Sequence, residues 1–163
     1  MDTMTTEQRS ELMSKIRGKD TKPELLVRKR LFASGWRFRV CDRRLKGKPD
    51  VVIPKARTII DVRGCFWHRH GCKDSTMPKS NIAFWMGKWS KNVNRDRRNE
   101  AAWRDGGWNL IIVWQCALES VKADRTLERI GSKIELWAAE CETGKVRRIP
   151  HRLELPYSRR YGK

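Results

Sequence analysis

Apolar positions recur along the chain in two rhythms, one of period two and one near 3.6. The stretch "DTKPELLVRKRLFASG" predicts a helix: Asp20 or Thr21 can cap it, Pro23 suits the first turn, and Glu24 favours the positive N-terminal end. Gly35 stops it. "WRFRV" alternates Trp36, Phe38 and Val40 with Arg37 and Arg39, which predicts a strand with one basic face. "PDVVI" and "TIIDV", joined by a turn at "PKAR", predict a hairpin. "SNIAFWMGKWSKNVNRDRRNEAAWRDGG" is a long helical stretch ended by two glycines, and "WNLIIVW" is a short apolar run of the buried-strand type. In "TLERIGSKIELWAAEC", Leu127, Ile130, Ile134, Trp137 and Cys141 step by three and four, the mark of a core-facing helix. The order of elements predicts one layered α/β domain over residues 21–141. A basic arm, 1–20, precedes it, with Leu12, Met13 and Ile16 as a small apolar ridge, and a loose basic tail, 142–163, follows.

Composition changes the picture mainly through charge. Among 163 residues, 37 Lys and Arg face 19 Asp and Glu, a net charge of +18. Such a surface attracts polyanions, because Lys and Arg contacts to phosphate release counterions. The long central helix concentrates this charge at Lys88, Lys91, Arg95, Arg97 and Arg98. No apolar run approaches the ~18–20 residues that span a bilayer, and no signal-peptide pattern opens the chain. A soluble, cytoplasmic nucleic-acid-binding protein is expected, with no membrane partner. The five cysteines are an odd number without a secretory context, which favours metal binding over disulfides.

Two clusters carry chemistry. Asp50 begins one strand of the hairpin; Asp61 and Arg63 lie two apart on the other and share a face. The pattern P-D-x10-D-x-R approaches that of many metal-dependent nucleases. There, carboxylate oxygens hold Mg²⁺ against the scissile phosphate, and a nearby cation stabilises charge developing on phosphorus. Spacing alone fits equally a turn Asp beside a surface Asp–Arg pair. In "GCFWHRHGC", Cys65, His68, His70 and Cys72 fall within eight residues, a donor set suited to tetrahedral Zn²⁺. The fourth ligand is either His68 or Cys116, and local spacing leaves both open. A spared His68 would be free for proton transfer.

"RSELMSKIRGKDTKPELLVRKRL", "GKPDVVI", "GCFWHRHGC", "FWMGKWSKNVNRDRR" and "GWNLIIVWQCAL" together resemble the very short patch repair (Vsr) endonucleases, from about Arg9 to Leu118. The resemblance implies a restriction-endonuclease-like fold: a central mixed sheet flanked by helices, with a structural zinc site. It implies nicking on the 5′ side of the T in T·G mispairs left by deamination of 5-methylcytosine. That activity would link the protein to a DNA cytosine-5 methyltransferase and suits a monomer. Carried over by position, Asp50 is the Mg²⁺ carboxylate, His68 the acid/base group, and Glu24 an acidic residue near that centre. Cys65, His70, Cys72 and Cys116 become the zinc ligands. Phe66, Trp67 and Trp85 enter the duplex from the major groove and Met13 from the minor groove, with Lys88, Asn92 and Arg95 expected to contact DNA. Exposure is therefore expected for Phe66 and Trp67, and core packing for Trp108, Trp114 and Trp137.

The chain departs from the better-known members at Val62-Arg63, where they carry Thr-His. A metal contact through the Val62 carbonyl survives that change. Arg63 cannot shuttle protons at neutral pH, so it is expected to act as a fixed cation on the phosphate. Asp61 adds a carboxylate where a hydrophobic residue is familiar and offers a second metal ligand. Two other readings stand beside the preferred one. One is a non-catalytic zinc-containing nucleic-acid-binding protein; the other is a nuclease of this fold without mismatch preference.

Overall fold

Among the described residues four strands form one sheet in chain order, the first two joined as a hairpin and helices lying between the others. The computed structural model describes residues 7, 8, 11, 14, 15, 18–119, 121, 123–142 and 152–154. Met13, with Leu12 and Ile16, lies outside them, as do His151, "RRIP", "YSRRYGK" and the side chain of Cys141.

Helix α1 (Lys22–Ala33) begins with Pro23 in its first turn, as predicted. Thr21 is its N-cap residue, but the hydroxyl donates to Glu24 (2.8 Å) rather than capping the backbone. The helix ends in the six-to-one bond from the Trp36 N–H to the Leu31 carbonyl (3.0 Å), with Gly35 at φ +80° in the left-handed conformation that this closure requires. The "WRFRV" segment pairs with the sheet only at Arg39, which exchanges two backbone hydrogen bonds with Val52. Its partner strand is three residues long, and Cys41 at φ +49° turns the chain away. The alternation nevertheless places Trp36 and Phe38 against the core.

Strands β1 (Val51–Ile53) and β2 (Thr58–Arg63) form the expected antiparallel hairpin, in the register Val51↔Ile60. After the loop and α2 (Ile82–Asp105), β3 (Asn109–Trp114) pairs parallel with β2 over six residues, Thr58↔Asn109 to Arg63↔Trp114. The short α3 (Gln115–Leu118) and the long α4 (Ala123–Glu142) follow. Strand β4 (Arg152–Glu154) then extends the sheet beside β3, parallel to it. Sequence alternation does not reveal β4, because a three-residue edge strand carries too little pattern.

Both faces of the sheet are covered, the condition that parallel pairing demands. Val51, Ile53, Ile60, Ile111 and Val113 meet Val27 and Leu31 of α1 and Leu127, Ile130, Ile134 and Trp137 of α4. The opposite face, Val52, Ile59, Leu110 and Ile112, packs on Trp103 of α2, with Trp108 and Trp114 partly buried at its margin. Ile60 is fully buried at the centre of the first cluster. Ile60→Ala is expected to cost about 2–5 kcal/mol of stability, read as a lowered urea midpoint. Leu136→Ala, on the half-exposed side of α4, should change it by no more than about 0.5 kcal/mol.

Candidate active site and metal centre

The parallel ladder ends with Arg63 beside Trp114, and two residues further along each chain stand Cys65 and Cys116. The loop after Cys65 doubles back through a bond from the His70 N–H to the Cys65 carbonyl, with Arg69 and Gly71 in left-handed conformations. Cys65, His70, Cys72 and Cys116 thereby bring four donor atoms within 4.8 Å of one another, and His70 Nδ1 lies 3.5 Å from the sulfurs of both Cys65 and Cys116. A tetrahedral zinc site has edges of about 3.3–3.8 Å, from bonds of about 2.0–2.3 Å, so these donors could close on one ion with little movement. Trp114 stacks on the His70 ring at 4.1 Å and 11°. Burial lowers the His70 pKa and keeps the imidazole in its neutral, ligating form. The hydrogen bond between the free thiols of Cys65 and Cys116 pushes the pKa of Cys65 up and that of Cys116 down.

His68 stands apart from this set. Its Nδ1 meets Asp96 Oδ2 at 2.5 Å, which leaves Nε2 on the far side of the ring. Burial works to raise the Asp96 pKa, but the His68 bond, with Arg63 and Arg95 nearby, outweighs it and holds Asp96 below the usual carboxylate range. Asp96 is therefore the acceptor and His68 Nδ1 the donor. Nothing in the sequence pattern singles out Asp96, which lies in "NRDRR" on the turn of α2 that faces the loop.

Continuing the hairpin register one step beyond Val51↔Ile60 sets Asp50 opposite Asp61. Asp50 Oδ2 accepts the Val62 N–H at 2.8 Å. Burial, the charge of Asp61 and the charge of Glu24 raise the Asp50 pKa from 3.8 to about 7, although the Val62 bond opposes them. Asp61 is also raised, chiefly by burial. Two half-buried carboxyl groups set side by side offer hard oxygen donors, and such a pair fits a divalent cation. Glu24 is less available: it accepts from the Asp20 N–H, the Thr21 hydroxyl and Arg28 Nη2.

Arg63 does not extend toward solvent. It is 5% exposed, with Nε on Asp61 at 2.7 Å and Nη1 on Glu100 at 2.9 Å. Burial opposes its charge, but Asp61, Asp96 and Glu100 more than offset that and raise its pKa. The sequence expectation of a cation held out to a phosphate thus meets a guanidinium locked between two carboxylates.

The aromatic residues gather on α2. The Phe66 ring lies 5.2 Å from Trp67, 5.0 Å from Trp85 and 5.4 Å from the buried Trp89. Lys88 Nζ covers Trp67 at 5.0 Å, and Asn92 Nδ2 donates to the Trp67 carbonyl at 3.0 Å. Phe66 and Trp67 are half-buried rather than exposed, because they pack against these rings. A side chain on Gly64 would press within 3.0 Å of Trp67. Arg95 is exposed on the outer side of α2, with Lys91, Arg97 and Arg98.

A family model described as DNA mismatch endonuclease Vsr matches residues 1–74. Type II nicking enzyme V.NmeAIP of Neisseria meningitidis serogroup A / serotype 4A is 47% identical over 119 residues, 73% of this chain and 85% of the relative. Type II nicking enzyme V.XorIIP of Xanthomonas oryzae pv. oryzae is 43% identical over 122 residues, 75% of this chain and 90% of the relative. DNA mismatch endonuclease Vsr of Escherichia coli K12 is 39% identical over 129 residues, 79% of this chain and 82% of the relative. With these relatives, the buried carboxylates, the Cys/His knot and the basic helix belong to a DNA endonuclease. More narrowly, the chain belongs to the Vsr family. Among the described residues no helix is long and apolar enough to cross a membrane.

The raised Asp50 pKa sets a pH dependence. The folded state holds this proton more tightly than the unfolded chain, so stability falls as pH rises from about 4 to about 7 and is level above that. With the Cys/His site loaded and no other divalent ion, Asp50→Asn is expected to melt several degrees higher than the parent at pH 8. The gap should narrow steadily as pH falls from about 8 to about 5.5, with the metal still bound; a constant difference across this range would contradict the shift.

Proposed function

We propose that this endonuclease nicks duplex DNA on the 5′ side of the T in T·G mispairs, using Mg²⁺ at Asp50 and a structural Zn²⁺ on Cys65, His70, Cys72 and Cys116. The observation that carries the reading is that the Asp50–Asp61 carboxylates and the Asp96-held His68 gather at one strand end. The names of the relatives, a mismatch endonuclease and nicking enzymes, support it. In this reading Asp50, the Val62 carbonyl and Asp61 hold the Mg²⁺. When bound, that ion would draw charge from the scissile phosphate and ease deprotonation of the attacking water.

The protein's own groups do the rest. Asp96 fixes the His68 ring, so that Nε2 faces the reaction and exchanges a proton with water or the departing oxygen. Arg63 holds Asp61 in place rather than binding phosphate, and Glu24 adds negative charge beside Asp50. Phe66 and Trp67, backed by Trp85, enter the duplex from the major groove, and Met13 enters from the minor groove. Opening a stacked step costs a few kcal/mol, least at a mispair, and base–aromatic stacking returns about 1–3 kcal/mol per base. Lys88, Asn92 and Arg95 contact the DNA from α2. The residues divide into a basic arm, 1–20, an endonuclease domain, 21–141, and a basic tail, 142–163, whose Arg152–Glu154 segment completes the sheet. We take the protein to be a cytoplasmic monomer that corrects the deamination products of a DNA cytosine-5 methyltransferase.

The test is strand nicking of a T·G duplex against its matched T·A counterpart, with and without Mg²⁺. The T·G strand should be cut 5′ of the T only with the ion present. Equal cutting of both duplexes would instead identify a nuclease of this fold without mismatch preference. Asp50→Ala and His68→Ala should each lower the rate by about 10²–10⁴-fold with duplex binding retained. Unchanged cutting by either variant would remove that residue from the chemistry. Cys116→Ala should lose the bound zinc, measured by metal analysis, and unfold at a lower temperature.

A further inference from the structure

Arg63 is an unusual neighbour for a cation-binding carboxylate pair. It is 5% exposed, and its Nε–Asp61 bond of 2.7 Å places a permanent positive charge against one of the two carboxylates proposed to hold the metal. Taken alone, that charge would cancel Asp61 and repel a divalent ion, and burial would strengthen the repulsion. The structure supplies an answer from a different element. Glu100, on α2 and also 5% exposed, meets Arg63 Nη1 at 2.9 Å. Its other oxygen faces Arg104, which sits at the exposed surface, at 3.3 Å.

We propose that Glu100 is a positioning residue: through Arg63 it neutralises the guanidinium, so that Asp50 and Asp61 keep their full attraction for the divalent cation. The inference rests on the reading that Asp50 holds that cation. Counted over Asp50, Asp61, Glu100 and Arg63 alone, ionisation of the pair leaves two net negative charges; without Glu100 only one would remain. Glu100 also fixes direction. With Nη1 on α2 and Nε on β2, the guanidinium plane is pinned at two points, and Asp61 is held on the side of the hairpin that faces Asp50. Among the described residues Arg63 Nη2 is buried without a hydrogen-bond partner, so the bonds to Asp61 and Glu100, with the Trp114 ring 6.0 Å from the guanidinium, carry its placement.

Calorimetric titration of the zinc-loaded full chain with Mn²⁺ tests this without any reference to DNA cutting. Glu100→Gln, which keeps the size of the side chain and removes its charge, is expected to weaken Mn²⁺ binding by about tenfold. Arg63→Met with Glu100→Gln removes both charges and should return the affinity to within about threefold of the parent, because the carboxylate pair is then uncompensated again. Replacing a buried ion pair as a unit is tolerated better than breaking it, so the double variant decides the matter if Glu100→Gln alone does not fold. A double variant at the parent's affinity supports the role, and one about tenfold weaker overturns it. Glu100→Gln binding Mn²⁺ as tightly as the parent also overturns it. Asp50→Ala separates the two levels. It should abolish Mn²⁺ binding; if it does so while Glu100→Gln is silent, only the role of Glu100 falls. If Asp50→Ala still binds Mn²⁺ normally, the reading of Asp50 as the cation's ligand fails, and this inference with it.

Discussion

The parallel pairing of β2 with β3 is the constraint on which the site depends. Parallel strands cannot be joined by a tight turn, so residues 64–108 must leave the sheet and return on its α2 face. The six-residue ladder then ends flush, with Arg63 beside Trp114. Everything chemical lies within a few residues of that edge. Cys65 and Cys116 follow the last pair by equal steps, so sheet register alone brings two of the four Cys/His donors together from positions 51 residues apart. The hairpin on the other side of β2 delivers Asp50 to Asp61 by the same means. A slip of one residue would turn both carboxylates toward α1 and α4. The Asp50–Val62 bond and the packing of helices on both faces of β2 and β3 hold the register.

Helix α2 then reads the strand end and loop turn by turn. Trp85 and Trp89 hold Phe66; Asn92 holds the Trp67 carbonyl; Asp96 holds His68; Glu100 holds Arg63; Trp103 closes on the sheet. These positions advance by four, three, four, four and three, one stripe of a helix. The loop is therefore tied twice, by the Cys/His donors at its ends and by this stripe along its length. Aromatic rings, histidine and carboxylates share one rigid frame. The opposite side of α2 is left to Lys91, Arg95, Arg97 and Arg98, all exposed to whatever polyanion approaches.

Much of this was legible in the chain. Helices α1, α2 and α4, the hairpin and β3 follow from apolar periodicity, and the Cys/His donors from their crowding within eight residues. Composition made the basic surface plain. What periodicity could not supply was contact between polar residues distant in sequence. Asp96 and Glu100 belong to the core-facing stripe of α2, yet an apolar pattern passes over them because they pair with His68 and Arg63 rather than with hydrophobic side chains. The Asn92 amide also holds a loop carbonyl, a contact that the sequence pattern does not show. From sequence alone Arg63 reads as a phosphate-binding cation, because the chain does not show that Glu100, 37 residues away, meets it. "WRFRV" had a strand's alternation without a strand's partner, since β1 is too short to pair beyond Arg39.

The unbalanced charge at the strand end bears on why such an arrangement persists. Asp50 is raised to about 7 because burial and Asp61 both oppose its ionisation, so the free protein is less stable at neutral pH than one with neutral residues there. For a chain that only bound nucleic acid, this would be a loss with no return: half-buried carboxylates near the basic surface repel phosphate and weaken the attraction that the lysines and arginines create. The same pair becomes favourable when a divalent cation lies between it and a phosphate, because the ion reverses the sign of both interactions. Local conflict of this kind is expected where function, and not folding, has selected the residues. The conflict lies beside a histidine oriented by a carboxylate, a placement suited to moving protons and of no use to simple adhesion. Burial, charge and hydrogen bonding thus favour hydrolysis over binding alone, on grounds independent of the likeness to known endonucleases.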